Sequence, residues 1–176
     1  MQYRRADIKG ATYFFTVNLA NRKKTALVDN IDALRESIRT VKNRHPFKID
    51  AMVIMPNHLH AMLTLPEGDN DYATRWSLIK SGFSRQIPKI ESISPSRATK
   101  GERGIWQRRY WEHCIRDDRD YEAHVNYIHD NPVKHGYVKH AVDWPYSSIH
   151  QHIKSGYINK ERGNGHKEDK KRGWGE

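Results

Sequence analysis

The run Val53-Ile54-Met55-Pro56-Asn57-His58-Leu59-His60-Ala61-Met62-Leu63-Thr64-Leu65 constrains this chain more than any other stretch. It reads as a strand, a tight turn at Pro56-Asn57 and a second strand. Side chains along a strand alternate between faces. Leu59, Ala61, Leu63 and Leu65 therefore share one face, suited to a core, while His58, His60, Met62 and Thr64 share the other. Two imidazoles at i and i+2 then project to the same side, close enough to grip one metal ion. A bare His-x-His is more often a pair of surface or hydrogen-bonded histidines on a half-buried strand, since short motifs recur by chance. The pair alone does not decide, and the downstream sequence must.

Taken in order, Thr12 to Leu19 has strand character, with Phe15, Val17 and Leu19 alternating with Phe14, Thr16 and Asn18. Asp29 or Asn30 can cap a helix running to about Arg44, whose apolar face is Ile31, Leu34, Ile38 and Val41. Phe47, Ile49, Ala51, Val53 and Met55 then line one side of the strand that enters the turn. A second helix starts near Asp71 with the stripe Tyr72, Trp76, Ile79, Phe83 and Ile87, leaving Arg75, Lys80 and Arg85 off the stripe. Ser92 to Gly104 has the composition of a mobile basic loop. A fourth strand is expected around Tyr110 to Ile115. A third helix runs from about Asp118 to Asp130, capped by Asp117 or Asp118 and stopped by Pro132. Val133 to Val138 then forms a short turn, and Trp144 to Ser148 another ordered segment.

This order predicts an α+β fold: a ferredoxin-like sandwich with a mostly antiparallel sheet, packed helices and an added C-terminal helix. Residues 1–158 are expected to be a single domain. Residues 159–176, rich in Lys, Glu and Gly without periodicity, are expected to be a disordered basic tail.

With 31 Lys and Arg against 21 Asp and Glu, the formal net charge is +10, which favours polyanionic partners. Aromatics make up 10% of the chain and interleave with cations, as in Arg108-Arg109-Tyr110-Trp111. That pattern suits single-stranded nucleic acid, where cations follow phosphates and rings stack on bases. Arg4 and Arg5 add a candidate phosphate contact. Cys114 is the sole cysteine, which excludes an internal disulfide and a cysteine-based zinc site. With no apolar run of membrane-spanning length, the expected setting is the cytoplasm, without a membrane partner.

The third helix bears on the histidine question. Tyr121, Val125 and Ile128 form its core stripe, while His124, Tyr127 and Asn131 fall together on a different face. Singly, each has a bland explanation as a packed or helix-ending residue. Together with His58 and His60 they resemble a phosphoryl-transfer centre. A divalent cation held by two imidazoles and one amide oxygen would polarise a phosphoryl oxygen, and a tyrosine hydroxyl beside it could serve as nucleophile. His124 would be an accessory group. Imidazole with oxygen ligands is compatible with magnesium, manganese or zinc.

Three motifs in this order, Met55-Pro56-Asn57-His58-Leu59-His60, then Trp106-Gln107 with Tyr110-Trp111-Glu112-His113, then Val125-Asn126-Tyr127-Ile128-His129-Asp130-Asn131-Pro132-Val133-Lys134-His135-Gly136, resemble the REP-associated tyrosine transposases. These are a branch of the single-tyrosine HUH transposases of insertion sequences. The likeness covers about Tyr3 to His150. It implies a catalytic domain that cleaves and joins single-stranded DNA at hairpins of repetitive extragenic palindromes, in the bacterial cytoplasm near the nucleoid, as a monomer or homodimer. By resemblance, His58 and His60 would be metal ligands with Asn131 as the third, holding Mg²⁺ or Mn²⁺. Tyr127 would form a 5′-phosphotyrosine and release a 3′-hydroxyl. Arg4, Arg5, Arg108, Arg109, Tyr110 and Trp111 are the candidate DNA contacts.

Two other readings use the same composition. A ferredoxin-like nucleic-acid-binding module without chemistry explains charge and aromatics but leaves His58, His60 and Tyr127 without a role. A hydrolase using activated water needs a carboxylate base near the histidines, and the motif offers none.

Overall fold

A computed structural model describes residues 7–89 and 91–158. Arg4, Arg5 and the whole of the expected tail lie outside the described residues.

The strands β1 (Thr12–Asn18), β2 (Lys48–Ile54), β3 (His58–Thr64) and β4 (Trp111–Cys114) form one antiparallel sheet in the order β2-β3-β1-β4. A short α1 (Ala26–Asp29), which the sequence pattern did not reveal, leads into α2 (Ile31–Arg44). Helix α3 (Tyr72–Gln86) returns the chain towards β4 through a four-residue α4 (Pro95–Ala98). Helix α5 (Asp118–Lys134), a 3₁₀ turn at Ala141–Asp143 and α6 (Ile149–Lys154) complete the described chain. Because β3 is antiparallel to both β1 and β2 and lies between them, α2 links two parallel strands across an inserted third. That is the ferredoxin-like split unit expected from the sequence. Among the described residues no helix is long and apolar enough to cross a membrane.

Both faces of the sheet are covered. Helices α2 and α3 pack on the face formed by Tyr13, Phe15, Val17, Leu59, Ala61 and Leu63, contributing Leu34, Ile38, Trp76, Ile79 and Phe83. The two helices approach closely at Gly82, where a Cβ would stand 3.2 Å from Ser37 Oγ. Helix α5 covers the opposite face, where Val125 and Ile128 meet Phe14, Ala51, Val53, Met55 and Met62. This double cover is why β1 is buried from Tyr13 through Asn18.

The five-residue alternation expected for Phe47 to Met55 does not hold. The register against β3 shifts between Ile49 and Ala51, which makes Asp50 the extra residue of a β-bulge. Phe47 and Ile49 consequently face α2 and α3, whereas Ala51, Val53 and Met55 face α5. Asp50 is buried, its carboxylate accepting from Thr64 Oγ1 at 2.5 Å and from the Tyr121 hydroxyl at 3.2 Å. Burial and the Asp50 charge push the Tyr121 phenol well above its ordinary pKa.

Two further expectations are corrected, those for residues 92–104 and for Pro132, and the burial of Arg75 adds a feature the pattern does not show. Arg75 lies off the apolar stripe yet is 2% exposed, because its guanidinium caps the carbonyls of His45, Pro46 and Asp71 and pairs with Asp69 at 2.6 Å. The segment Ser92 to Gly104 contains α4 and is tied down by Arg103, which bonds the Glu91 carboxylate and the carbonyls of Ser84, Ile87 and Pro88. Pro132 does not stop α5, which continues to Lys134. A proline costs a helix one N–H bond and crowds the preceding turn, and here only two helical residues follow it. The end is closed by His135 N–H to the Asn131 carbonyl and Tyr137 N–H to the Pro132 carbonyl, with Gly136 at φ +73°.

The outer edge of β2 is paired as well. Ile54 N–H donates to the Tyr146 carbonyl at 2.9 Å and Ser148 N–H to the Met52 carbonyl at 2.8 Å, while Trp144 Nε1 donates to the Ile54 carbonyl at 2.9 Å.

Candidate active site

The expected turn at Pro56-Asn57 is present, closed by Met55 N–H to the His58 carbonyl at 2.9 Å. Asn57 is pinned by donating its amide to the Arg22 carbonyl, and its Oδ1 accepts from His58 Nδ1 at 2.7 Å. One strand over, Thr16 is the cross-strand partner of His60, and its hydroxyl lies 2.9 Å from His60 Nδ1. With Nδ1 engaged in each ring, Nε2 is the nitrogen each histidine could offer to an ion. Both rings are buried on the α5 face with centroids 4.9 Å apart.

Helix α5 aims its polar face at this pair. It starts firmly: the Asp117 side chain accepts from Asp120 N–H, and Asp118 and Asp120 place negative charge at the helix N-terminus. Tyr127, Asn131 and His135 then follow at one-turn intervals. The Tyr127 ring meets His60 edge-on at 5.1 Å, and the His135 ring meets His58 at 5.3 Å. Asn131, fully buried, sits one turn from each and so between the two contacts. Lys134 lies over the Tyr127 ring, 4.9 Å from its centroid and 3.5 Å from its hydroxyl.

His124 is also fully buried, but its neighbours are Phe14 at 4.7 Å and a stacked His113 at 4.8 Å. Phe14 lies between His124 and His60, stacked on the latter at 5.6 Å. Asp120 joins His113 and His124: one carboxylate oxygen is 2.8 Å from His113 Nε2, the other 3.2 Å from His124 Nδ1. These three residues bring ligand atoms within 4.8 Å of one another and could hold an ion. The same carboxylate also accepts from Arg116 N–H at 3.0 Å. Burial pushes the Asp120 carboxyl up, but the bonds from His113 and Arg116 outweigh it and hold it below the usual carboxylate range. Burial pushes His124 down, towards the neutral imidazole.

The structure separates the candidate DNA contacts. Tyr110 packs with Phe15 and Trp76 on the α2 and α3 side, while Trp111 packs with Phe14 and His113 on the α5 side. Arg108 pairs with Glu102 at 2.9 Å, and Arg109 is exposed. Nearby, Lys80 donates to the Gln107 carbonyl at 2.7 Å, and burial followed by repulsion from Arg97 lowers its pKa to about 8.

The sequence model of the family described as "Transposase IS200 like" matches residues 8–131. The chain is also 46% identical over 155 residues to a REP-associated tyrosine transposase of Escherichia coli K12, covering 88% of this chain and 86% of that one. The chain belongs to the REP-associated tyrosine transposases of the IS200-like family. A relative of the same group from Haemophilus influenzae is 46% identical over 154 residues, covering 87% and 88% of the two chains. A solved REP-associated tyrosine transposase bound to a REP hairpin matches with a TM-score of 0.84 and 41% identity, covering all of this chain and 97% of the other. Membership in a tyrosine transposase family makes the chain a DNA-cleaving and DNA-joining enzyme.

In this transposase, sequence reasoning missed the residues that hold the histidines rather than the histidines themselves. The sequence pattern marks Asn57 as a turn and motif residue and Thr16 as one position in a strand, and neither as the partner of a histidine ring. His135 and Lys134 continue the Tyr127 face at i+8 and i+7. That signal was present in the spacing but hidden by the expected stop at Pro132.

Proposed function

We propose that this transposase is a metal-dependent single-stranded DNA endonuclease and strand transferase, acting on hairpins of repetitive extragenic palindromes through a 5′-phosphotyrosine at Tyr127. The observation that carries the reading is the Tyr127 ring lying 5.1 Å from His60, with Asn131 one turn further along the same buried helix face. The +10 charge supports a phosphate-rich partner, and the hairpin-bound relative supports a folded single strand.

The donor set fits a divalent cation. Nε2 of His58 and His60 with the Asn131 amide oxygen gives two nitrogens and one oxygen and no thiolate, a set compatible with Mg²⁺, Mn²⁺ or Zn²⁺. When bound, the ion supplies Lewis-acid polarisation of the scissile phosphate. Asn57 and Thr16 orient the two imidazoles through their Nδ1 atoms. Packing against Phe14, at 5.9 Å, and His60 limits the directions in which the Tyr127 ring can point. Attack of its oxygen on phosphorus forms the Tyr–O–P bond and breaks the P–O3′ bond. The phenol proton passes to solvent, and the departing oxygen takes one up as a 3′-hydroxyl. The phosphodiester energy is retained, so a second 3′-hydroxyl can reverse the step and join a new strand. The setting is the bacterial cytoplasm, where the DNA lies.

The test is a denaturing gel of protein incubated with Mn²⁺ and a hairpin oligonucleotide labelled at its 3′ end. The native chain and Tyr121→Phe give a labelled protein band, and Tyr127→Phe gives none. A band that persists in Tyr127→Phe overturns the assignment, and a band that appears only with 5′-labelled DNA reverses the polarity.

A further inference from the structure

We infer that Lys134 is a catalytic residue of the strand-transfer step, holding charge at the Tyr127 oxygen and on the phosphate that this oxygen attacks; this rests on the reading of Tyr127 as the nucleophile. Lys134 is exposed and on the last turn of α5, where a lysine ordinarily extends into solvent. Instead its ammonium folds back two turns, to 3.5 Å from the Tyr127 hydroxyl and 4.9 Å from the ring centroid. The position depends on Pro132 lying within the helix: the i to i+7 stacking of Tyr127 and Lys134 exists only because α5 runs on past the proline.

An ammonium has three N–H donors and no acceptor. Before attack, a phosphorus in line with the phenol oxygen stands roughly 3–3.5 Å from it. The non-bridging phosphate oxygens are then within reach of the same ammonium. Lys134 can bridge the nucleophilic oxygen and one phosphate oxygen, on the helix side of the phosphate, while His58 and His60 occupy the sheet side. Charge that develops on the oxygens during attack meets a preorganised cation there, which is where electrostatic stabilisation acts on the barrier rather than on binding. Lys134 neither gives nor takes a proton in the step. One P–O bond forms to Tyr127 and one breaks to the 3′-oxygen, the phenol proton leaves to water, and the 3′-oxygen takes its proton from water. In the joining direction the Tyr127 oxygen is the leaving group, so the same contact stabilises its departure.

The experiment measures the rate of the Tyr127–DNA adduct at saturating hairpin and Mn²⁺, with hairpin affinity measured separately. Lys134→Gln is expected to slow adduct formation about 10²-fold, in the range for removing one preorganised donor, with little change in affinity. Lys134→Arg keeps the charge and should recover most of the rate, whereas Lys139→Gln, the same charge change at another exposed lysine, should leave it unchanged. A native rate in Lys134→Gln, or a loss confined to affinity, overturns the role of Lys134 while the Tyr127 reading stands. Equal losses in Lys134→Gln and Lys134→Arg overturn it too, since charge would then not be what matters. Absence of an adduct in the native chain removes the Tyr127 reading and this inference with it.

Discussion

The two faces of one sheet are built from alternate residues of the same strands, yet they differ in kind. On β3, Leu59, Ala61 and Leu63 sit against α2 and α3 among aliphatic and aromatic side chains. His58 and His60, interleaved with them, sit under α5 in a row of rings that runs from Trp111 and His113 through His124 and Phe14 to His60, His58 and His135. The first face gains its stability chiefly from apolar burial. The second buries nitrogen and oxygen atoms that must be held by specific partners, such as Asn57, Thr16 and Asp120. A face rich in buried polar groups is costly to fold, and the apolar face opposite supplies the stability that lets it persist.

The strongest way to break this division is to substitute neighbours on β3. His58→Ala is expected to cut adduct formation at least about 10³-fold, corresponding to the several kcal/mol that a Lewis-acid cation supplies, while the chain still folds and binds hairpin DNA. Chelator added to the native chain should match that loss. Leu63→Ala, on the same strand but facing α2 and α3, should instead cost about 2–5 kcal/mol of unfolding free energy and leave the folded fraction cutting at the native rate. Denaturant unfolding and adduct gels on the same samples separate the two. A Leu63→Ala protein that folds but has lost chemistry would mean that the faces are not independent.

A smaller effect sharpens the comparison through pH. His129, on the α5 side, is 2% exposed, and its Nε2 is 3.0 Å from Ser148 Oγ. Burial, then repulsion from His152 and His150, pushes its pKa down to about 3. An unfolded histidine titrates near 6.5, so below that pH the unfolded chain binds a proton that the folded chain refuses. Stability from this group is therefore full at neutral pH and falls as the pH drops from about 6.5 towards 3. Between pH 7 and pH 5 the loss is about 2 kcal/mol. Unfolding midpoints of the native chain and His129→Gln across that range test it: the native chain should show the steeper decline, and parallel curves would refute it.

Least of all should change on removing residues 159–176. That stretch has no apolar periodicity to pack on either face, so a chain ending at Ile158 should form the adduct at the native rate. Loss of cleavage with the fold intact would add the tail to the site.

The order of elements, the apolar stripes and the histidine face were legible because they rest on periodicity within one segment. The bulge at Asp50 was not, because register is a property of two strands, and an alternation of five apolar residues looks the same with or without a slip. Nor was the burial of Arg75, whose partners are backbone carbonyls at His45 and Pro46 that no side-chain pattern encodes. Pro132 misled for a related reason. Its cost to a helix is fixed, but whether the helix continues depends on the bonds closing its end at Asn131, Pro132 and Gly136. At the candidate site, the shared face of His58 with His60 and that of Tyr127 with Asn131 were readable from spacing, whereas Thr16 entered through cross-strand pairing with His60.

The pairing of β2 with residues 144–148 bears on the order in which the chain is made. β2 and β3 leave the ribosome early, but the segment that protects the outer edge of β2 is, among the described residues, one of the last to emerge. Throughout most of synthesis an apolar strand with unpaired amides is exposed to other nascent chains, the condition under which edge-to-edge association competes with folding. The ordered segment from Trp144 to Ser148 thus works as a closing latch, and a message that ends before it would yield an aggregating product rather than a smaller enzyme.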